Sequence, residues 1–553
     1  MTDTPADAAL LRKEIEMQYL QRPTDPGFAP TIPNLLAHAA ENFSQAEFLV
    51  DDKRTLTFAQ ADAASAEIAK GLLALRIGKG TRVGLLMPNT ADWVLCWLAA
   101  ARVGALTQLF STLYKPAELN WGLGHLDVDT LLVAGAYLNV DFLQRLEEAI
   151  PDLAAQTSTT LNLPSHPYLR HIVVWGDCDR PWAIKGAEAL KAIAAQSPQI
   201  DSNFLKQVES KIAPADLLVT ISTSGATAHP KAVVHTHGAA VRVPYAFLDY
   251  IDFRPDDRNL VGMPFFWVGG FNVNLIPAMH RGATLVFAAS SKNADMLDAI
   301  KRHKVTRLPW WPIQMKALLQ EAEARGADLS SIRDLANRLV GSASFGMTET
   351  FGMHSIEPRT SVLPRDKVGS LGRNLPGVER KIVDLETGLE TSPGKAGELY
   401  VRGYSVMTGY YKVEREDTFT RDGYFPTADV CSIDHDNYIR FHTRRNDMIK
   451  TSGANVAPLE VERVLIAAPS VKEAYVFGLP HPTKGEAVIA VVVGGADGVL
   501  DTEAVRQLAS THLSSYKVPQ AIVPMDAEAI PRTASGKVNK PSLAQLVSNK
   551  VRW

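Results

Sequence analysis

At 553 residues, 46% of them apolar, the chain exceeds what one hydrophobic core holds and predicts several domains. Its 57 lysines and arginines nearly balance 60 aspartates and glutamates, and the net charge of -3 excludes a basic nucleic-acid footprint and a polybasic membrane anchor. Three scattered cysteines, Cys96, Cys178 and Cys431, exclude a disulfide framework and a cysteine-rich zinc site, and fit a reducing, cytoplasmic setting.

The chain opens on MTDTPADAALLRKEIEMQYLQR (1–22), where charges occupy the place a signal peptide needs for an apolar core. Residues 56–77, LTFAQADAASAEIAKGLLALRI, space their apolar side chains as a helix does, and TRVGLLMPN (81–89) reads as a strand closed by Asn. The longest apolar run, WVLCWLAAARVGAL (93–106), is interrupted by Arg102 well short of a bilayer span, so no membrane-spanning segment is expected. DTLLVAGAY (129–137), HIVVWGD (171–177) and DLLVTISTSG (216–225) are further short apolar runs with Gly or Asp at their ends. Strands alternating with helices imply an α/β fold. From residue 378 closely spaced strand and turn signals take over, in VERKIVDLETG and AGELYVRGYSVMTGYY, and predict a small β-rich subdomain. After the charged stretch FHTRRNDMIKTSGANVAP (441–458), a last unit has helices (PLEVERVLIAA, TEAVRQLASTHL) and strands (VKEAYVFGLP, AVIAVVVGG) of its own. The expected organisation is a large N-terminal domain over 1–442, with α/β subdomains at 30–377 and the β-rich subdomain at 378–442. A hinge at 443–447 and a small, mobile C-terminal α+β domain at 448–553 complete it.

Several stretches carry chemistry. Residues 222–238, STSGATAHPKAVVHTHG, follow a strand; their hydroxyls and backbone N–H groups can wrap an anion, and Lys231 adds a point charge. No G-x-x-x-x-G-K-[ST] is readable there, and the same residues would also make a solvated polar turn. FGMTET (345–350) sets Phe345, the Thr348 hydroxyl and the Glu349 carboxylate side by side, which suits stacking on a base and holding Mg2+ through oxygen; a helix N-terminal carboxylate would read alike. DGYFPTAD (422–429) ends in Asp429, a partner for a ribose diol or a plain turn former, and PRTASGKVNK (531–540) puts Lys537 on a Gly/Ser-rich turn. Phe265, Phe266, Trp267, Trp310 and Trp311 cluster in MPFFWVGGFNVN and LPWWPIQM, as core or as the wall of an apolar pocket.

In this order and spacing the stretches resemble the adenylate-forming superfamily of acyl-CoA synthetases, peptide-synthetase adenylation domains and firefly luciferase, from about residue 30 to residue 545. The family's T-S-G-[ST]-T-G-x-P-K-G is matched by Thr223, Ser224, Gly225, Thr227, Pro230 and Lys231, with Ala228 and Ala232 where it has glycine. Its T-G-D becomes Thr427-Ala428-Asp429, its P-L-F-H becomes Pro264-Phe265-Phe266-Trp267, and in place of its upstream G-G-A-P loop GSAS (341–344) abuts FGMTET directly.

The resemblance implies an N-terminal AMP-binding domain. In it a substrate carboxylate attacks the α-phosphorus of ATP, giving an acyl-adenylate and pyrophosphate, and a thiol then attacks the carbonyl. It assigns Lys537 to bridging the carboxylate and the α-phosphate, Glu349 and Thr227 to Mg2+, and residues 223–231 to pyrophosphate. Phe345 and Thr348 fall to the nucleotide, Thr348 beside Glu349 in the catalytic set, Asp429 and Arg444 to the ribose, and Asn446 to the hinge about which the C-terminal domain rotates between half-reactions. Phe266, Trp267, Trp310 and Trp311 would line the acyl pocket or its approach, and since no acidic counter-charge for an amino group stands in those segments, an apolar acid is expected rather than an amino acid. The partners implied are a small carboxylic acid, ATP and coenzyme A, with no nucleic acid; the oligomeric state is left open, a homodimer included. With no carrier or reductase domain in the sequence, a free-standing CoA ligase is the expectation, and a stand-alone adenylation enzyme loading a carrier-protein phosphopantetheine is the alternative. A luciferase-like oxygenase or a non-catalytic nucleotide binder fits less well, because the reacting lysine, the magnesium carboxylate and the hinge arginine are all present.

Overall fold

The computed structural model describes residues 25–223, 230–309, 312–333, 343–358, 363–385, 387–444, 449–456, 458–495, 500–532 and 538–551. They divide into two compact units: one holds the described residues up to Ser111, Leu123–Ile221 and Ala232–Thr443, the other Thr112–Gly122, Ser222–Lys231 and the described residues from Arg444 onward.

The first unit is built on an eight-stranded sheet whose spatial order is Gly409–Tyr410, Lys231–Thr236, Leu217–Thr223, Leu106–Leu109, Arg82–Leu86, Thr130–Ala134, His171–Trp175 and Ala183–Lys185. From Leu217–Thr223 outward to Ala183–Lys185 every pairing is parallel. Parallel strands are covered on both faces, which is why residues 83–86 and 131–133 read as unbroken apolar runs, while Leu106–Leu109 is buried at all four residues with the polar Thr107 and Gln108 among them. One of the covering helices is Ala91–Arg102, buried from Trp93 onward and apolar without a break from Trp93 to Ala101. Arg102, the charge inside that run, donates to Asp62 Oδ1 at 2.7 Å and Glu209 Oε1 at 2.5 Å, so it belongs to a packed interior rather than to a broken membrane segment. The helix expected at 56–77 spans Phe58–Ala74 and starts on a capping box between Thr57 and Gln60.

Among the described residues, three smaller sheets of three or four strands and a two-stranded pair, Ala136–Tyr137 with Val140–Asp141, complete this unit. One orders Arg258–Leu260, Thr284–Val286, Glu47–Val50 and Thr55–Thr57; a second is the hairpin Ser344–Met347/Gly352–Ile356 with Arg373–Asn374 beside it. The third, Val378–Val383, Gly397–Gly403, Phe425–Ile433 and Ile439–Arg444, is the β-rich part. One piece of the β-rich sequence leaves that sheet. Gly409–Tyr410 pairs antiparallel with Lys231–Thr236 at the edge of the large sheet, Tyr410 opposite Val233. A two-residue strand carries no periodicity, so nothing in the sequence foretold this excursion.

The second unit has a sheet of Ala454–Val456, Ile449–Thr451, Gly485–Gly494 and Val471–His481, with Ala521–Pro524 added parallel to Gly485–Gly494. Helices Pro458–Ile466, Thr502–His512 and Lys540–Ser548 accompany it. Two apolar clusters form its own core, one around Val461, Leu465, Val476 and Val505 and one around Ile489, Val491, Leu543 and Val547. Lys517, 1% exposed, donates to Glu118 Oε1 at 2.9 Å and Glu460 Oε1 at 2.7 Å, so this buried cation is doubly paired. No helix among the described residues is long and apolar enough to cross a membrane.

Candidate active site

Glu349 sits at the tip of a hairpin. Strand Ser344–Met347 turns through the 3-10 residues Thr348–Thr350 into strand Gly352–Ile356, with Met347 opposite Gly352 and Gly346 opposite Met353. The turn needs unusual backbone: Phe351 has φ 52° and Gly352 φ 105°. The left-handed region is uncommon for a bulky residue, and Gly352 has no room for a side chain, since a Cβ there would run into Asn272 Nδ2. Thr350 Oγ1 closes the turn by donating to the Gly352 carbonyl at 2.6 Å and accepting from the Met347 N–H at 3.3 Å.

Other elements hold this turn. The Met407 N–H donates to the Glu349 carbonyl at 2.8 Å, and the Tyr410 hydroxyl donates to Glu349 Oε1 at 2.9 Å. Asn272 Nδ2 donates to the Phe351 carbonyl at 2.6 Å, and His235 Nε2 lies 2.7 Å from the Thr348 carbonyl. Burial pulls the His235 imidazole down to about 4, so the ring is neutral at pH 7 and Nε2–H is the donor. The half-buried Glu349 thus has one side-chain oxygen on a tyrosine. Among the described residues no group of three or more His, Cys, Asp and Glu gathers as a metal cage. Mg2+ does not require one, because it is commonly held by one or two carboxylates together with substrate phosphates, and Glu349 fits that donor set.

Phe345, half-buried on the same hairpin, has its ring 5.0 Å from His354 and 5.8 Å from Phe441. Burial lowers the His354 imidazole to about 3, which keeps that neighbour neutral as well. Asp429 lies 1% exposed within strand Phe425–Ile433 and receives its own geometry locally. Its N–H donates to Thr427 Oγ1 at 3.1 Å, Thr427 Oγ1 donates to the Leu399 carbonyl at 2.8 Å, and the Ala428 N–H donates to Glu398 Oε1 at 3.0 Å. Ala428, where the resembled motif has glycine, adopts φ 60°.

Thr223 ends one strand of the large sheet and Lys231 begins its neighbour, and Thr223 Oγ1 donates to the Lys231 carbonyl at 3.4 Å. The two ends of the expected phosphate loop therefore meet, while Ser224, Gly225 and Thr227 between them lie outside the described residues. So do Asn446, Lys537, Trp310 and Trp311. Arg444 ends the strand Ile439–Arg444, and its side chain also falls outside what is described. Of the aromatics, Phe265 is core, its ring 4.7 Å from Trp93. Phe266 is buried against Trp267 with ring centroids 5.4 Å apart, and Trp267 is half-buried at the start of the helical segment that follows. That segment passes through a π-helical turn, Phe271–Leu275, a feature frequent at functional sites, and Asn272 is carried on it. His235, Asn272 and Tyr410 were missed by sequence reasoning. The available signal was a polar residue inside an apolar run: His235 in KAVVHT, and Asn272 in FFWVGGFNVNLI.

The model of the AMP-binding enzyme family matches residues 36–411, and that of the AMP-binding enzyme C-terminal domain matches residues 460–537. An indoleacetate–CoA ligase from Aromatoleum aromaticum is 28% identical over 517 residues, 90% of this chain and 94% of that one. A Mycobacterium tuberculosis 3-[(3aS,4S,7aS)-7a-methyl-1,5-dioxo-octahydro-1H-inden-4-yl]propanoyl:CoA ligase is 29% identical over 547 residues, 93% of this chain and 99% of that one. Among solved structures, an amide bond synthetase from Marinactinospora thermotolerans superposes with a TM-score of 0.76 at 23% identity, over 93% of this chain and 99% of its own. Because the first family model alone spans well over half of the sequence, the chain belongs to the AMP-binding enzyme family, with the mixed α/β architecture of a large N-terminal and a smaller C-terminal domain that adenylate-forming enzymes have.

Proposed function

We propose that the protein activates an apolar carboxylic acid with ATP and passes the acyl group to coenzyme A. It is an AMP-forming acid–thiol ligase. A carboxylate oxygen of the acid bonds to the α-phosphorus as the α–β bridging bond breaks and pyrophosphate leaves. The CoA sulfur then bonds to the acyl carbon as the acyl–oxygen bond breaks, AMP leaves and the thiol proton goes to solvent. Little covalent chemistry is asked of the protein, whose part is alignment and neutralisation of developing charge.

The observation that carries this reading is the family match running through both domains, with Glu349 and Asp429 in built, hydrogen-bonded positions. Glu349, with Thr227, is assigned to Mg2+, which when bound offsets negative charge on the phosphate oxygens. Residues 223–231 would seat the pyrophosphate, Asp429 and Arg444 the ribose, Phe345 and Thr348 the nucleotide, and Lys537 the carboxylate and α-phosphate. Trp267 and Phe266, with Trp310 and Trp311, are assigned to the acyl pocket. Relatives named for an indole acid and a bicyclic acid make ring-bearing acids the first arm of a substrate panel. Three free cysteines fit work in the reducing cytoplasm.

The test is pyrophosphate release across straight-chain, branched and ring-bearing acids, with CoA, with a holo carrier protein, and with neither. Acid-dependent release and a CoA thioester are expected. Thioester only on the carrier protein would move the acceptor to phosphopantetheine, and no acid-dependent release from any arm would overturn the ligase reading.

A further inference from the structure

The turn that carries Glu349 is fastened from outside at three of its carbonyls and at the Glu349 side chain. Thr348 accepts from His235 on the strand Lys231–Thr236, Glu349 from the Met407 N–H, and Phe351 from Asn272 on the π-helical turn, while the Glu349 carboxylate itself accepts from Tyr410. The fastened conformation is one the backbone does not choose freely, with left-handed Phe351 followed by Gly352 at φ 105°. Strained backbone of this kind persists where surrounding contacts over-determine it, and such contacts cluster where a functional group must be held. His235 and Asn272 are 113 and 79 residues away from their acceptors, both are buried, and each puts a polar donor into otherwise apolar packing, His235 edge-on to the Phe351 ring at 4.9 Å. Burying an imidazole and an amide is costly unless their hydrogen bonds are made, so these are expensive choices for filling space alone.

We infer that His235, with Asn272 as its counterpart on the other side of the turn, is a positioning residue for adenylation, fixing where the Glu349 carboxylate points; this rests on the assignment of Glu349 under the proposed function. Neither side chain needs to touch ATP or the acid. The Thr348 carbonyl also accepts from the Phe351 N–H at 3.1 Å, so losing the His235 donor leaves the hairpin folded but free to rock about its remaining bonds.

The experiment pairs His235→Leu, which removes the donor, with His235→Gln, whose amide nitrogen can replace Nε2–H. Two readouts are taken: hydrogen exchange of the 344–356 amides in the ligand-free protein, and kcat and KM for acid-dependent pyrophosphate release. His235→Leu should speed exchange in that hairpin and not in the sheet Val378–Val383/Gly397–Gly403. It should lower kcat by roughly 10- to 100-fold, the range for supporting partners of a metal-site ligand, with the KM for the acid nearly unchanged. His235→Gln should recover most of both. Equal behaviour of Leu and Gln, or a Leu variant with hairpin exchange and kcat unchanged, overturns the inference. If His235→Leu does not fold, Asn272→Ala is held to the same two readouts, and an unchanged hairpin with unchanged kcat overturns it equally. Glu349→Gln separates the two ideas: full turnover in that variant sinks the assignment of Glu349, whereas a crippled Glu349→Gln beside a fully active His235→Leu sinks the positioning role alone.

Discussion

Glu349 and Asp429 are two acidic motif residues of one domain that are held in opposite ways. Glu349 stands on a turn whose own bonds are few, and side chains from three distant segments, at His235, Asn272 and Tyr410, hold it in place. Asp429 lies inside a nine-residue strand, and the contacts that shape it come from Thr427, Glu398 and Leu399 in its own sheet. A long-range clamp leaves a carboxylate half-exposed toward whatever it must meet, whereas a local one buries it and sets one direction. The difference predicts that the first site fails through its supports and the second only through its own residue.

The largest effect expected is at Glu349. Glu349→Gln keeps shape but removes a full charge from a hard-cation site, so the adenylation rate should fall by roughly 100-fold, the loss typical when one preorganised group meeting developing charge is removed. The variant should also need more Mg2+ for half-maximal rate. A titration of rate against Mg2+ that superposes on the unaltered protein would return Glu349 to a structural role.

Asp429→Asn should act on ATP instead. A hydrogen bond to a charged group contributes about 1.5–3 kcal/mol, so the KM for ATP should rise by about tenfold or more while kcat changes little. The comparison is sharpened with 2′-deoxy-ATP: the unaltered protein should discriminate against it and the Asn variant should do so less. Unchanged discrimination would remove Asp429 from the ribose.

How much of this was visible in the sequence depends on the distance over which each contact acts. The strands TRVGLLMPN and HIVVWGD were legible because a covered parallel strand has to be apolar at nearly every residue. Phe345, Glu349 and Asp429 were visible as candidates because their motifs are contiguous. His235, Asn272 and Tyr410 were not: each meets the Glu349 turn across 61 to 113 residues, and only folding brings them there. Ala428 was visible as a departure from glycine, but the reason glycine suits the position, φ 60°, is a property of the backbone alone.

Trp267→Ala tests the acyl side with a smaller effect. Emptying a wall of a pocket alters discrimination between acids by roughly 1–3 kcal/mol, so kcat/KM should shift toward bulkier apolar acids with the KM for ATP nearly constant. Truncating a tryptophan that packs on Phe266 also destabilises, so Tm is read alongside. A fixed rank order of acids with evenly lower rates would make Trp267 a core residue.

The smallest effect is the cleanest statement of how Asp429 is held. At φ 60° an alanine bears the clash between Cβ and the following carbonyl, a strain of roughly 1–2 kcal/mol that glycine lacks. Glycine in turn loses more chain entropy on folding, by about 0.4–1 kcal/mol. The strain exceeds the entropy, so Ala428→Gly should raise the unfolding midpoint in urea by a margin worth about 0.5–1 kcal/mol and leave the KM for ATP within about twofold, because the bonds of Thr427, Glu398 and the Asp429 N–H depend on the backbone path and not on the methyl group. A destabilised variant would mean that the Ala428 methyl packs to more effect than its strain costs. A stabilised variant with poorer ATP binding would mean that the stiffness of alanine, rather than the local bonds, is what aims Asp429.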